Sequence, residues 1–387
     1  MLVQASAAIE PEHELMLLLA GTAGERSSRS VRIQELAASA RLDVLRHLMA
    51  RQRMLPLLGT RMRGLRSDPS SDQFWRAVGA SLALSRRTAL LLEEVGRKVS
   101  TSLRAVGVPV LVLKGPSLAI ELYGDPGLRF STDLDLLVPP ERLDDARRVL
   151  LDRGYVGGEA QRTRGGRPLL HYRLHPPEAR AFPVELHWRI HWYEEEFSRR
   201  ILQRSILGED GLRRPSAEDG LAALLLFYAR DGLNGLRYPA DIAAWWDVYR
   251  DSIRPGALLE MVRRHPALEG PLAAAATAVA SLVGVPVDGA LADIAQRDRM
   301  SRVAGRLVNW TLDGSPQQIQ ANVNLVGWLL APRAAGRRFP PPAFFSPQRQ
   351  SAWERPRDAA LHPLRVISRW GLTAGRLARR GRLARLP

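Results

Sequence analysis

The sequence predicts an α+β protein in which a small core of strands and helices is flanked by helical regions. Hydrophobic residues make up 45% of the 387 residues and charged residues 25%, a globular composition that argues against disorder throughout the chain. Between residues 106 and 192, short β-branched runs alternate with helical patterns. The chain before and after this stretch places its apolar residues at helical spacing.

Four regions follow from these shifts in pattern. We expect an N-terminal helical region at residues 1–105, an α/β core at 106–195 and a second helical region, which would bind the acceptor, at 196–332. Residues 333–387 form a basic tail with 13 arginines and two acidic residues. The tail has an apolar helical stripe, which predicts contact with an anionic membrane or a nucleic acid. An arginine-rich terminus without a partner is the alternative.

Composition also excludes several classes of function. Cysteine is absent, so disulfides, thiol catalysis and cysteine-bound zinc are excluded. The apolar run at residues 15–20 follows three glutamates instead of basic residues, so we expect no export signal and a cytoplasmic protein. The uncharged run at 271–287 contains Gly284 and Pro286, which favours a buried helix over a membrane span. The net charge of +16 suits anionic substrates.

The first strand of the core, at residues 108–113, leads into Lys114-Gly-Pro-Ser117, after which helical spacing resumes. A strand that reaches a helix through a glycine turn is a phosphate-binding arrangement, because free N–H groups and the helix dipole attract anions. Two of the 56 basic residues are lysine, and Lys114 would add a compact positive charge. Gly-Pro-Ser at a helix start is also a common turn, so this signal is weak by itself.

The second strand, Thr132 to Val138, carries Asp133 and Asp135. Side chains alternate along a strand, so both carboxylates lie on one face and repel one another unless a cation lies between them. Hard divalent cations such as Mg²⁺ prefer oxygen ligands of this kind. The alternative is an exposed edge strand with a solvated acidic face.

The third strand, residues 182–192, places Glu185 and His187 on one face, and Glu185 would join the two aspartates if the strands are neighbours. His187 is expected to line the site, with a structural histidine as the alternative. Four of the eight histidines form two His-x-x-x-His pairs, which is zinc spacing on a helix. The second pair lies on a predicted strand, where residues four apart are not adjacent, so zinc is not expected from this spacing.

In this order the motifs resemble the bacterial "uncharacterised nucleotidyltransferase" family, which belongs to the DNA polymerase β-type nucleotidyltransferase superfamily. The resemblance covers residues 35 to 250, and its most specific piece is Lys-Gly followed by Arg-x-x-x-Asp-x-Asp. The motifs that carry it are Leu-Lys-Gly-Pro-Ser117, Gly-Asp-Pro-Gly-Leu-Arg129, Thr-Asp133-Leu-Asp135, Val-Glu185-Leu-His187-Trp and Arg237-Tyr-Pro-Ala-Asp241.

This resemblance implies a mixed sheet that holds three acids. Asp133 and Asp135 match the paired metal-binding aspartates. Glu185 matches the third acid, which also binds metal and assists deprotonation of the attacking hydroxyl. Gly115 and Ser117 match the turn that holds the β- and γ-phosphates, although the superfamily usually has Gly-Ser or Gly-Gly where this chain has Gly-Pro.

The activity implied is attack by an acceptor hydroxyl on the α-phosphorus of an NTP, with Mg²⁺ or Mn²⁺ as cofactor and pyrophosphate as leaving group. The expected transfer is AMP from ATP, and acceptors across the superfamily include sugars, antibiotics, small metabolites, peptides, proteins and RNA. Lys114 and Arg129 would neutralise phosphate charge, and an ion pair that holds the strand acids is the alternative for Arg129. Asp241 would orient the helical region near the site. The competing hypothesis is a catalytically inactive protein that docks on RNA, an anionic membrane or a biosynthetic partner.

Overall fold

The computed structural model describes residues 10–65, 72–157, 168, 170–177, 182–192, 194–208, 212–287 and 289–297. The predicted basic tail at 333–387 and the last part of the second helical region lie outside the described residues.

The chain begins with helices, because apolar residues recur at a period near 3.6 that places them on one side. Within the described residues, six helices precede the sheet, and the last of them spans 34 residues. They are α1 (Pro11–Ala20), α2 (Ala23–Ser28), α3 (Ser30–Ser39), α4 (Leu42–Arg51), α5 (Leu55–Arg61) and α6 (Asp72–Ala105).

A mixed sheet follows, which has seven strands in the part of the chain that the structure describes and is interleaved there with three helices. Its elements are β1 (Leu111–Val112), α7 (Pro116–Tyr123), β2 (Leu134–Leu137), α8 (Leu143–Leu151), β3 (Val156–Gly157), β4 (His171–His175), β5 (Val184–His187), α9 (Glu196–Arg204), β6 (Ile206–Leu207) and β7 (Arg213–Arg214). The strand order is β3-β4-β5-β2-β1-β7-β6. The pairs β2–β5 and β1–β7 are parallel, and the other neighbours are antiparallel. The predicted α+β class with helical flanks is confirmed.

The strands are shorter than the sequence predicts. The run at 108–113 contributes only Leu111 and Val112 to the ladder. Strand β5 ends at His187. The Trp188 N–H still bonds to the Leu170 carbonyl, just before β4, but the Ile190 N–H bonds to side chains. The Ile190 N–H lies 2.8 Å from Glu194 Oε1 and 2.9 Å from Ser198 Oγ, so these side chains take the place of a ladder partner.

Five helices complete the described chain. They are α10 (Ala217–Arg230), α11 (Arg237–Tyr249), α12 (Ala257–Arg264), α13 (Glu269–Val283) and α14 (Gly289–Arg297). Short 3₁₀ turns lie at Pro126–Leu128, Pro140–Arg142, Arg250–Ser252 and Pro266–Leu268. Within the described residues, the segment Pro266–Val283 has the length and composition of a membrane span, but 56% of it is buried inside the protein.

The sheet separates two hydrophobic clusters. Apolar side chains of β2, β4 and β5 pack against α6 and α8, which gives one cluster. The other cluster joins the N-terminal helices to α10, α11 and α13, and it includes Leu111, Leu137 and Ile190 at the sheet. Because side chains alternate along a strand, the polar residues of β2 and β5 face away from the α6–α8 layer and toward α10 and α11.

Candidate active site

The turn between β1 and α7 has the features of an anion-binding loop. Gly115 has φ +119° and ψ −154°, a left-handed conformation that favours glycine, and a Cβ atom there would meet nothing within 4 Å. Pro116 is the first residue of α7, and the first bond back along the helix runs from the Ala119 N–H to the Gly115 carbonyl. The preceding amides, Ser117 and Leu118, therefore have no acceptor within their own helix.

Lys114 lies beside this turn but is directed into the protein. Its Nζ atom is 3.1 Å from Asp135 Oδ1 and 3.2 Å from the Tyr238 hydroxyl, and it lies 4.2 Å from the centre of the Phe227 ring. Burial alone would lower the pKa of the lysine, but the negative charge of Asp135 raises it. Lys114 is therefore the charged partner of Asp135 in this structure, and its contact with a phosphate stays a prediction.

The three predicted acids lie on neighbouring strands. Strands β2 and β5 are parallel, and their register places Asp135 directly beside Glu185. Asp133 comes just before β2, where burial and the negative charge of Asp135 raise its pKa. Burial would also raise the pKa of Asp135, but Lys114 and a hydrogen bond with His187 hold it well below the usual range. The carboxylates thus act on one another across the two strands.

His187 lies between the two strand acids. It is fully buried, and its Nε2 atom is 3.0 Å from Asp135 Oδ1 and 3.4 Å from Glu185 Oε2. Burial would raise the pKa of Glu185, but the hydrogen bond with His187 and the nearby His171 lower it to about 2. Glu185 is therefore ionised at neutral pH. His187 thus lies beside two of the predicted metal ligands, and its role in lining an active site stays a prediction.

His171 is a site residue that the sequence analysis did not select. It faces His187 across strands β4 and β5, with the two ring centres 4.5 Å apart. Its Nε2 atom is 3.6 Å from Glu185 Oε2. Burial and the neighbouring His187 lower the pKa of His171 to about 3, so the imidazole is neutral at pH 7. The signal available in the sequence was the alternation His-Tyr-Arg-Leu-His, which is typical of a half-buried strand.

Arg129 and Asp241 form a buried ion pair next to the site. Arg129 Nε lies 2.8 Å from Asp241 Oδ2, and the two side chains are only 3% and 1% exposed. Arg129 also donates to the Ser131 hydroxyl at 3.0 Å, and the Tyr123 hydroxyl donates to Asp241 at 2.9 Å. Arg129 is therefore an ion-pair residue, but its partner is Asp241 and not the strand acids, and its contact with a phosphate stays a prediction. The pair fixes helix α11 to the segment that precedes β2.

The ligand type of the three predicted acids suits a hard divalent cation. Asp133, Asp135 and Glu185 supply carboxylate oxygens, which are the ligands that Mg²⁺ and Mn²⁺ prefer. Burial, and after it the negative charge of Asp135, raises the pKa of Asp133 at this end of β2. A cation there would reduce the repulsion.

A separate cavity of about 380 Å³ lies among α10, α11, α12 and α13. Its walls are mostly apolar and include Leu225, Ile242 and Trp246, with Arg250 and Arg254 also among the lining residues. The acids of β2 and β5 and the Gly115 turn do not line this cavity, so it is distinct from the candidate active site.

Comparison with known proteins gives the family. The family model described as "Uncharacterised nucleotidyltransferase" matches residues 38–284, which is well over half of the chain and includes the sheet, the Gly115 turn and the three acids. A comparison with curated proteins finds no match. The chain belongs to the uncharacterised nucleotidyltransferase family.

Proposed function

We propose that the protein is a metal-dependent nucleotidyltransferase that transfers an NMP, with ATP as the expected donor, to a hydroxyl group of an acceptor and releases pyrophosphate. Family membership supports nucleotidyl transfer in general. The observation that carries the finer proposal is the pairing of Asp135 with Glu185 on adjacent parallel strands, with Asp133 just before the first of them. The Gly115 turn follows β1, which pairs with β2 on the side opposite β5.

The nucleotide would bind where the β1–α7 turn is open. The first-turn amides of α7 would donate to phosphate oxygens, and the free space above Gly115 lets the phosphates approach the backbone. Asp133, Asp135 and Glu185 would hold Mg²⁺ or Mn²⁺. A bound divalent cation would supply positive charge to the triphosphate and to the pyrophosphate that leaves.

The protein's own residues would prepare the attack. Glu185, ionised at neutral pH, would accept the proton of the acceptor hydroxyl while the hydroxyl oxygen forms its bond to the α-phosphorus. The bond from the α-phosphorus to the bridging oxygen breaks, and that oxygen leaves with pyrophosphate. Lys114 would keep Asp135 ionised and in place throughout.

A second candidate function is nucleotide binding without catalysis. The observation that favours it is that Asp135 Oδ1 already lies 3.1 Å from Lys114 Nζ and 3.0 Å from His187 Nε2, so protein groups balance its charge without a cation. Such a protein would dock on RNA, an anionic membrane or a biosynthetic partner through its basic tail. The contacts of the tail and the cytoplasmic location remain proposals.

The test is incubation of the purified protein with each α-labelled NTP, Mg²⁺ or Mn²⁺, and cell extract. Label transfer and pyrophosphate release are measured. We expect Asp133→Asn and Asp135→Asn to reduce transfer by about 100-fold or more, because each removes a cation ligand. Asp251→Asn is the matched control, since that side chain is 97% exposed, and it should behave as the unmodified protein.

Two outcomes would contradict the proposal. One is the absence of transfer from all four NTPs. The other is transfer by both aspartate variants at the level of the unmodified protein. ATP binding that survives chelation of divalent cations and the loss of both aspartates would support the binding protein instead.

A further inference from the structure

The hairpin of β4 and β5 brings two histidines and a glutamate together. His171 is the direct partner of His187, and Arg173 is the direct partner of Glu185. Side chains at directly opposed positions of an antiparallel pair are close neighbours, and residues two apart on one strand share a face. The strand register therefore places His171, His187 and Glu185 on the same face. Along the chain, His171 lies 14 residues before Glu185 and 16 before His187.

The donor atoms of this trio converge. Glu185 Oε2 is 3.6 Å from His171 Nε2 and 3.4 Å from His187 Nε2, and the three ligand atoms all lie within 4.8 Å of one another. Ligands bound at about 2.1 Å in a tetrahedral or octahedral shell are separated by roughly 3.0–3.4 Å along each edge. The three atoms are thus close to the spacing of one face of a coordination shell.

The other polar atoms of these three side chains do not occupy the space between the converging donor atoms. Glu185 Oε1 is engaged by the Arg173 guanidinium at 3.1 Å, so Oε2 is the oxygen that faces the histidines. Among the described residues, the buried Nδ1 atoms of His171 and His187 have no hydrogen-bond partner. In the ion-free protein the proton that His187 shares with the Asp135 carboxylate lies on Nε2. A bound cation would take the place of that proton, and the ring proton of each histidine would then lie on its unpartnered Nδ1.

We infer that His171, Glu185 and His187 form a binding site for a divalent transition ion such as Mn²⁺ or Zn²⁺. Imidazole nitrogen favours Zn²⁺, and Mn²⁺ accepts imidazole beside its preferred carboxylate oxygens, whereas Mg²⁺ and Ca²⁺ are bound by oxygen ligands. Two histidines and one carboxylate on the paired strands β4 and β5 supply three of the ligands that such an ion needs, and water or a substrate oxygen would supply the others.

This site deepens the proposed function and rests on it for its catalytic meaning. The two cation positions would be neighbours, since His187 Nε2 is also 3.0 Å from Asp135 Oδ1. Paired cations about 3.5–4 Å apart occur in phosphoryl-transfer enzymes. Here the two positions would differ chemically, because one has only carboxylate ligands and the other has two imidazoles.

The test is metal binding by the full chain without nucleotide, after removal of metals with a chelator. Mn²⁺, Zn²⁺ and Mg²⁺ are titrated by calorimetry, and bound Mn²⁺ is examined by pulsed electron paramagnetic resonance for coupling to imidazole nitrogen. His171→Asn removes one ligand from a side chain that is partly exposed. His175→Asn is the matched control, because His175 is an exposed histidine of the same strand.

We expect tight binding of Mn²⁺ and Zn²⁺, nitrogen coupling in the unmodified protein, and a loss of affinity of about 10- to 100-fold in His171→Asn. His175→Asn should bind as the unmodified protein, and Mg²⁺ binding should be unchanged in His171→Asn. The inference is overturned if Mn²⁺ shows no nitrogen coupling, if Zn²⁺ binds no more tightly than Mg²⁺, or if both histidine variants bind equally well. The resonance measurement uses the unmodified protein, so it remains decisive if a variant does not fold. If no ion binds at the histidines, the proposal of nucleotidyl transfer is unaffected. If transfer is absent, the result of the metal-binding experiment still holds.

Discussion

Replacing Asp241 by asparagine removes the carboxylate that balances the charge of Arg129 inside the protein. The two side chains are 1% and 3% exposed, so the guanidinium would stay buried without a counter-charge. Removing one partner of a buried ion pair costs about 3–5 kcal/mol of unfolding free energy. The Tyr123 hydroxyl can still donate to an amide oxygen at this position, so the lost charge accounts for most of the expected effect.

Urea unfolding measured by circular dichroism tests this value. The control is Arg199→Ala at the Arg199–Glu141 pair, whose side chains are 40% and 55% exposed, where we expect a cost below about 1 kcal/mol. Arg129→Met combined with Asp241→Leu should recover most of the stability, because neither charge then remains buried. The double variant should also retain ATP affinity if Arg129 serves only this pair. Equal costs for Asp241→Asn and Arg199→Ala would refute the reasoning.

Three further predictions concern single side chains. Lys114→Met should lower the unfolding free energy by about 3 kcal/mol or more, because it leaves a buried β2 carboxylate unbalanced, whereas Lys98→Met, at a side chain 64% exposed, should change it by less than about 0.5 kcal/mol. Gly115→Ala should cost about 1–2 kcal/mol in the same urea assay, since φ is +119°. The hydrogen bond from Arg41 lowers the pKa of Glu12 from 4.5 to about 2, so its stabilisation is complete above pH 4.5 and is lost as the pH falls toward 2. Arg41 is 62% exposed, so solvent screens the pair and the effect is small, and Glu12→Gln should flatten the decline of unfolding free energy over this pH range.

The fold class could be predicted because the pattern of apolar residues changes period at the core. Alternation identified β2 and the first half of the third strand, where Leu134, Leu136, Val184 and Leu186 all face the α6–α8 layer. The two-residue strands β6 and β7 were not predicted, since two residues cannot show a period. Their pairing is decided by the chain around them and not by their own side chains.

Part of the candidate site was also within reach of sequence reasoning. The shared face of Asp133 and Asp135 follows from alternation, and the neighbouring position of Glu185 was a stated condition that the parallel β2–β5 pairing meets. The position of His171 opposite His187 could not be derived in this way, because it depends on the register of a hairpin whose connecting residues carry no turn motif with a fixed length. The Arg129–Asp241 pair joins residues 112 positions apart, which no local pattern specifies.

The choice of lysine at position 114, in a chain that otherwise uses arginine almost throughout, follows from the space around it. The ammonium group lies among Asp135, the Tyr238 hydroxyl and the Phe227 ring, at distances of 3.1, 3.2 and 4.2 Å. A compact ammonium can meet all three, whereas a planar guanidinium needs more room and a flatter partner. Because Lys114 balances Asp135, the carboxylate with the raised pKa is Asp133, for which burial and the Asp135 charge are the causes. A cation that binds at the aspartates would therefore stabilise the charge of Asp133 most. We expect the pKa of Asp133 to change more than that of Asp135 when the metal binds.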